Sequence, residues 1–359
     1  MKILAKIVIM FLLFPLGIWA HEKQPEWKGR YTKQKTIKKA FNVNSNALLS
    51  VDNSYGNVVI TTWNQNRTEI EVVIKTNGDD EDKVQRKLDE ITVNFMATSG
   101  TVAAKTIFEK KGWSLFGGND NVNMEINYTI KLPVTNSVNL SNDYGGIQID
   151  KLNGDASISC DYGKLTLGRL NGNNNSLAFD YTTNATIEYI KNARINADYS
   201  DFELAEVGNL ELSADYTKSK IGKANHIKYN CDYGSLNADA INNLEGTGDY
   251  ITLRLGEISG NVQINAEYGS LKIAELTPSA GNVMIKTEYT GMNIGYNANY
   301  FFNFEIALEY GGLKGGDGFN YNIQRDKSGE KYYAGTYGNN PSKNVTIKSE
   351  YGSVHFTQK

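Results

Sequence analysis

One dipeptide recurs through most of this chain, an acidic residue followed by tyrosine. It stands at Asp143-Tyr144, Asp161-Tyr162, Asp180-Tyr181, Asp198-Tyr199, Asp215-Tyr216, Asp232-Tyr233 and Asp249-Tyr250. It continues with glutamate at Glu267-Tyr268, Glu288-Tyr289, Glu309-Tyr310 and, after a longer gap, Glu350-Tyr351. The run from Tyr144 to Tyr310 is spaced by 17 to 21 residues, and Ser54-Tyr55-Gly56 looks like an early relative. Self-similarity at this period marks an architecture in which each unit packs only on its neighbours.

Aligning the units on the tyrosine shows which side chains face inward. Four residues before it stand Leu140, Ile158, Leu177, Ile195, Leu212, Tyr229, Ile264, Ile285, Ile306 and Ile347, with Gly246 the exception. Two before it the column is mostly small, as in Cys160, Ala197, Ala214 and Cys231. Three and five after it apolar residues return (Leu165 and Leu167, Leu271 and Ile273), and another follows at eight (Leu152, Val207, Ile258). Strand side chains alternate with period two, so inward positions at even offsets before the tyrosine and odd offsets after it require a corner. Gly145, Gly163, Gly234, Gly269, Gly311 and Gly352, each just after the tyrosine, are the expected bends. The expected fold is all-β, a right-handed parallel β-helix (β-solenoid) of short, roughly triangular coils.

The flanks break this rhythm. Residues 1–20 place Lys2 and Lys6 before an apolar run from Ile7 to Leu16, the pattern of a secretory signal peptide. The expected mature chain starts near His21, without a transmembrane segment and without the cysteine a lipoprotein leader places after its cleavage site. Residues 21–135 read as an irregular β-rich segment and cap, with one short helix near 80–91 where Val84, Leu88 and Ile91 recur at helical spacing behind capping acids. Residues 136–311 are the regular repeats, and 312–359 a hairpin and capping coil.

Taking Lys2 and Lys6 from 37 basic residues leaves 35 against 40 acidic ones, a net charge of −5. That balance and the absence of a basic stripe exclude nucleic acid as a partner. Only His21, His226 and His355 are present, and no nucleophile, phosphate-loop or zinc motif occurs, so the expectation is a non-catalytic protein. Parallel β-helices also include polysaccharide-cleaving enzymes, which is the enzymatic alternative.

The segments NSYGNVVITTW and NRTEIEVVIKTNG, the YG-x-L-x-I units and the closing NVTIKSEYGSVHF resemble the putative adhesin family of secreted bacterial β-solenoids. The resemblance implies an exported protein of the periplasm, outer surface or medium that meets a cell-surface, glycan or envelope partner. It brings no catalytic residues.

Three sets of residues are candidate sites. The acidic column (Asp143, Asp161, Asp180, Asp198, Asp215, Asp232, Asp249, Glu267, Glu288, Glu309, Glu350) forms a line of carboxylates if the units stack. It reads either as a solvated edge whose side chains accept turn N–H groups, or as a row of weak Ca²⁺ sites, the one cofactor the chain suggests. The tyrosine column follows the inward parity, which makes it core or corner packing; facing out, it would form an aromatic strip suited to sugars. Trp113 and Phe116 lie in a loop-like insertion as contact residues, with Trp63 also placed for exposure. Cys160 and Cys231 share a column four units apart, about 19 Å at the strand spacing, too far for a disulfide.

Overall fold

The structure is a computed structural model that describes residues 27–109 and 121–359. Residues 1–20, expected as a leader, and His21, Trp113 and Phe116 lie outside the described residues. The chain is all-β with a single helix among those residues.

Each acidic-Tyr unit supplies a strand before its tyrosine and another after it, and both pair in parallel with their equivalents one unit on. Ile158 pairs with Leu140 and Asp161 with Asp143. Leu167 pairs with Ile149, Ala214 with Cys231 and Asp215 with Asp232. The columns aligned on the tyrosine are therefore the register of the sheet. A slip of one residue would turn every inward column to solvent, and Leu140, Ile158, Leu177, Ile195, Leu212 and Ile264 are all buried. Each such side chain contributes about 1.5–3 kcal/mol on burial, and only stacking supplies the second half of its surroundings.

Pairing lapses twice more in the middle units of the stack, typically at the sixth and ninth residues after the tyrosine. Between the Tyr199 and Tyr216 units the register passes over Ala205 and Gly222, then over Gly208 and Asn225. The later lapse is held by side-chain amides. Asn242 Nδ2 donates to Asn225 Oδ1 (3.2 Å) at the lapse itself, and Asn209 Nδ2 donates to Asn192 Oδ1 (2.8 Å) on the paired residues just after it.

At the N-terminal end the Tyr55 unit is the first layer of the same stack. Strand Leu48–Ser54 lies between Ser137–Asp143 and Thr101–Phe108, and Val58–Trp63 between Ile147–Leu152 and Asn123–Pro133. A buried polar network joins cap to stack. Asn53 Nδ2 donates to Asn142 Oδ1 (2.9 Å), Thr106 Oγ1 donates to Asn53 Oδ1 (2.9 Å), and Thr106 also bonds the Tyr128 hydroxyl (2.8 Å). Burial pushes the Tyr128 phenol up to about 12.

Outside this layer the pairing is antiparallel. Tyr31–Asn42 pairs with Arg67–Gly78, which pairs with Asn123–Pro133. The helix Glu81–Glu90 is capped by Asp80, whose carboxylate accepts from Asp82 N and Lys83 N (3.1 Å each). It buries Val84 and Leu88.

At the other end, chain order and stacking order part company. The Glu350-Tyr351 unit, expected as a capping coil beyond the hairpin, lies inside the stack. Lys343–Glu350 runs parallel to Val283–Glu288 on one side and to Phe302–Glu309 on the other. The Tyr310 unit is the outermost, because its inward Phe302 and Phe304 pack with Phe319 and Tyr337 into an aromatic plug instead of facing another layer. The hairpin of Asn320–Lys327 and Glu330–Tyr337 pairs antiparallel with Phe302–Glu309 and covers the edge it would otherwise expose.

Candidate functional site

The corner after each acidic residue is made by the tyrosine itself. All twelve tyrosines of the column, Tyr55 through Tyr351, have φ between 46° and 62°. This left-handed conformation costs a non-glycine residue roughly 1–2 kcal/mol. The glycine that follows is not the bend: Gly163 keeps a negative φ, and a Cβ there would stand 2.1 Å from the Gly145 carbonyl oxygen of the next layer. It is needed for close approach. Where that position is not glycine, a buried hydroxyl often fills it, as where Thr217 Oγ1 donates to Ala197 O (2.8 Å) and accepts from Ser200 N (3.2 Å).

The left-handed turn throws the ring outward, against the inward parity of its position. The rings are 40–66% exposed and form one continuous stack. Its order is Tyr55, Tyr144, Tyr162, Tyr181, Tyr199, Tyr216, Tyr233, Tyr250, Tyr268, Tyr289, Tyr351, Tyr310, with centroids 4.7–5.2 Å apart and planes within 11°. Phe108 closes the Tyr55 end edge-on at 6.0 Å. A stacked aromatic pair contributes about 0.5–1.5 kcal/mol, and an interior ring has two such neighbours, enough to offset its backbone strain. Because both faces of each interior ring lie against neighbours, the stack offers solvent its edges and hydroxyls along its length.

The carboxylates stand beside this ridge in single file. Asp180 N donates to Asp161 Oδ1 (3.1 Å), while Tyr162 N donates to Asp180 O (3.0 Å). The same side-chain bond recurs from Asp198 N to Asp180, Asp215 N to Asp198, Asp232 N to Asp215 and Asp249 N to Asp232. The expected turn N–H is thus replaced by the N–H of the next layer, which ties the layers together and offsets the repulsion along the row. Partial burial, followed by the neighbouring carboxylates and against the accepted N–H, holds Asp180 and Asp215 above the ordinary carboxyl value. Desolvation in the stack, then the neighbouring phenols, raises Tyr162, Tyr199, Tyr233, Tyr268 and Tyr351. Among the described residues no group of three or more His, Cys, Asp or Glu converges on a point that could hold a metal ion.

Beside the acidic row runs a hollow of about 290 Å³ lined by Thr247, Asp249, Asn265, Glu267, Lys286 and Glu288. A broader trough of about 500 Å³ crosses the same sheet face, where Arg194 meets Glu211 (2.9 Å) and Lys228 meets Glu245 (3.3 Å). Trp63 is half-buried, its Nε1 donating to Arg67 O (2.8 Å). Cys160 and Cys231 are free and buried, and burial pushes both thiols up to about 12. No described helix is long and apolar enough to cross a membrane.

No family model matches the chain, and no curated protein matches it. Solved structures resemble it at low identity. A putative adhesin from Bacteroides fragilis is 12% identical, with 90% of this chain and 97% of that one covered and a TM-score of 0.30. A putative adhesin from Parabacteroides merdae is 10% identical, covering 90% and 96%, with a TM-score of 0.35. A putative lipid binding protein from Parabacteroides distasonis is 8% identical, covering 90% and 96%, with a TM-score of 0.27. At these values the likeness carries no argument about function.

Proposed function

We propose that the protein is an exported, non-catalytic β-solenoid, wound right-handed, that serves as an adhesin-type interaction module of the cell envelope. One observation carries the reading: a ridge of twelve half-exposed tyrosines with carboxylates alongside, unbroken by loops across successive layers. Exposed aromatic surface of this extent is costly to leave in water, and contiguous patches of it mark interaction sites. A straight ridge suits a long partner met at many points better than a small substrate held in a cleft. In this reading residues 1–20 are the leader, 21–135 the cap, 136–311 the working surface and 312–359 the closing segment, and no resident cofactor is required.

The test is binding of the purified mature chain to intact cells, envelope fractions and matrix proteins, with calcium and with chelator. The comparison is a variant carrying Tyr199→Asn, Tyr216→Asn and Tyr233→Asn, since asparagine tolerates the left-handed backbone. The expected result is at least about a tenfold loss of binding with unchanged far-ultraviolet circular dichroism. Undiminished binding by the variant would sink the assignment to the ridge.

A further inference from the structure

We infer that the ridge takes an extended, unbranched, β-linked glycan, neutral or amine-bearing, laid along the stack with one sugar to each rung. The inference rests on the interaction reading above and names its ligand.

Period is the first argument. Ring centroids repeat every 4.7–5.2 Å along the row. An extended β-linked pyranose chain advances by nearly the same step per sugar, so a contact made at one rung recurs at the next without slipping out of register. A peptide strand, at about 3.3 Å per residue, does not keep that step.

Chemistry is the second. Each rung offers a phenol hydroxyl that both donates and accepts and, on every rung but Tyr55, a carboxylate that accepts. Three residues before the tyrosine comes an outward position occupied by Ser141, Ser159, Asn196, Ser213, Asn230, Thr247 or Asn265 in seven layers. The hollow between that column and the acidic row passes three layers, those of Asp249, Glu267 and Glu288, without interruption. A glycan brings hydroxyls to every rung to meet these groups. Charge then selects among glycans, because the carboxylate row repels a polyuronate or any other polyanion and leaves a neutral or amine-bearing chain unopposed.

Geometry is the third. Stacking consumes both faces of every interior ring, so none of these has a face free for a single sugar, and each such rung contributes only an edge and a hydroxyl. Affinity must accumulate over many rungs along a row that extends about 53 Å at the strand spacing.

The experiment measures the affinity of the purified mature chain for cellulose-type and chitosan-type oligosaccharides of increasing length. Amylose-type oligosaccharides, which coil, and a polyuronate serve as comparisons. The expected result is at least about a tenfold gain from tetrasaccharide to octasaccharide in an extended series. That gain should be absent for the coiled series and the polyuronate, and lost in the Tyr199→Asn, Tyr216→Asn, Tyr233→Asn variant. A second variant, Asp198→Asn with Asp215→Asn and Asp232→Asn, leaves the tyrosines intact and should admit the polyuronate. Affinity independent of length, or equal affinity for the coiled series, overturns the inference. If the tyrosine variant loses cell binding while no glycan binds the parent, the glycan assignment falls and the interaction reading stands. If the variant binds cells as well as the parent does, both fall.

Discussion

Gly246 stands opposite Tyr229 in the parallel pairing of adjacent layers, and the tyrosine ring fills the space the glycine leaves. A Cβ at Gly246 would lie 2.4 Å from Tyr229 Cδ1 and 2.4 Å from the Tyr229 carbonyl oxygen. The one gap in the inward column and its one aromatic are thus a matched pair. Replacing Gly246 with isoleucine, the usual residue there, should destabilise by about 1–3 kcal/mol through overpacking, and adding Tyr229→Ile should recover the part of the loss that comes from the ring, leaving the part that comes from the Tyr229 carbonyl. The Tyr229 hydroxyl is buried without a partner. Tyr229→Phe should therefore stabilise, by about 1 kcal/mol, in urea unfolding.

The left-handed tyrosines make a different prediction. Tyr216→Ala loses stacking with Tyr199 and Tyr233 yet keeps the strained backbone, whereas Tyr216→Gly loses the stacking and relieves the strain. The usual ranking of these residues in a strand should invert, with glycine the more stable by roughly 1 kcal/mol. Equal stabilities would show that the corner carries no strain.

The acidic row should respond to pH with a definite sign. Asp215 has a raised folded value, so the folded chain holds that proton more tightly than the unfolded chain does. Its contribution favours folding below the unfolded carboxyl range and is lost as pH climbs through the raised value. Asp215→Asn keeps an oxygen for Asp232 N and removes the charge. The variant should melt higher than the parent at neutral pH, with the gap closing as pH falls through the carboxyl range and narrowing in high salt.

The inserted last unit predicts an unusual truncation effect. Ending the chain at Pro341 removes the strand that lies between Val283–Glu288 and Phe302–Glu309. Limited proteolysis should then cut within residues 297–337, and the melting temperature should drop. Retained resistance there would mean that the flanking layers close the gap by themselves.

Much of this was legible in the sequence because the column register and the pairing register are the same thing. Ile158 over Leu140 and Asp232 over Asp215 follow from counting back from each tyrosine. The helix near Val84 and Leu88 announced itself through period and capping acids. The outward tyrosine did not, because period-two parity assumes right-handed or extended backbone and one left-handed residue reverses it. The displaced last unit was also illegible. Its spacing says only that it is a unit, and whether it lies beyond the Tyr310 layer or between that layer and the Tyr289 layer is decided by the bulk of Phe302 and Phe304. Asp161 reaching for the N–H of Asp180 could have been anticipated, since aspartate is short enough to reach a strand N–H one layer away.

The place of Lys343–Glu350 between two earlier strands also sets a timetable. As the chain emerges, each regular layer can dock on the one before it as soon as its own residues are out. Phe302–Glu309 cannot reach its final neighbour in this way, because that neighbour, Lys343–Glu350, is made some forty residues later. The aromatic plug and the hairpin must wait with it, so this end of the stack settles only after a later segment has threaded between two earlier layers, while the near end has long been finished.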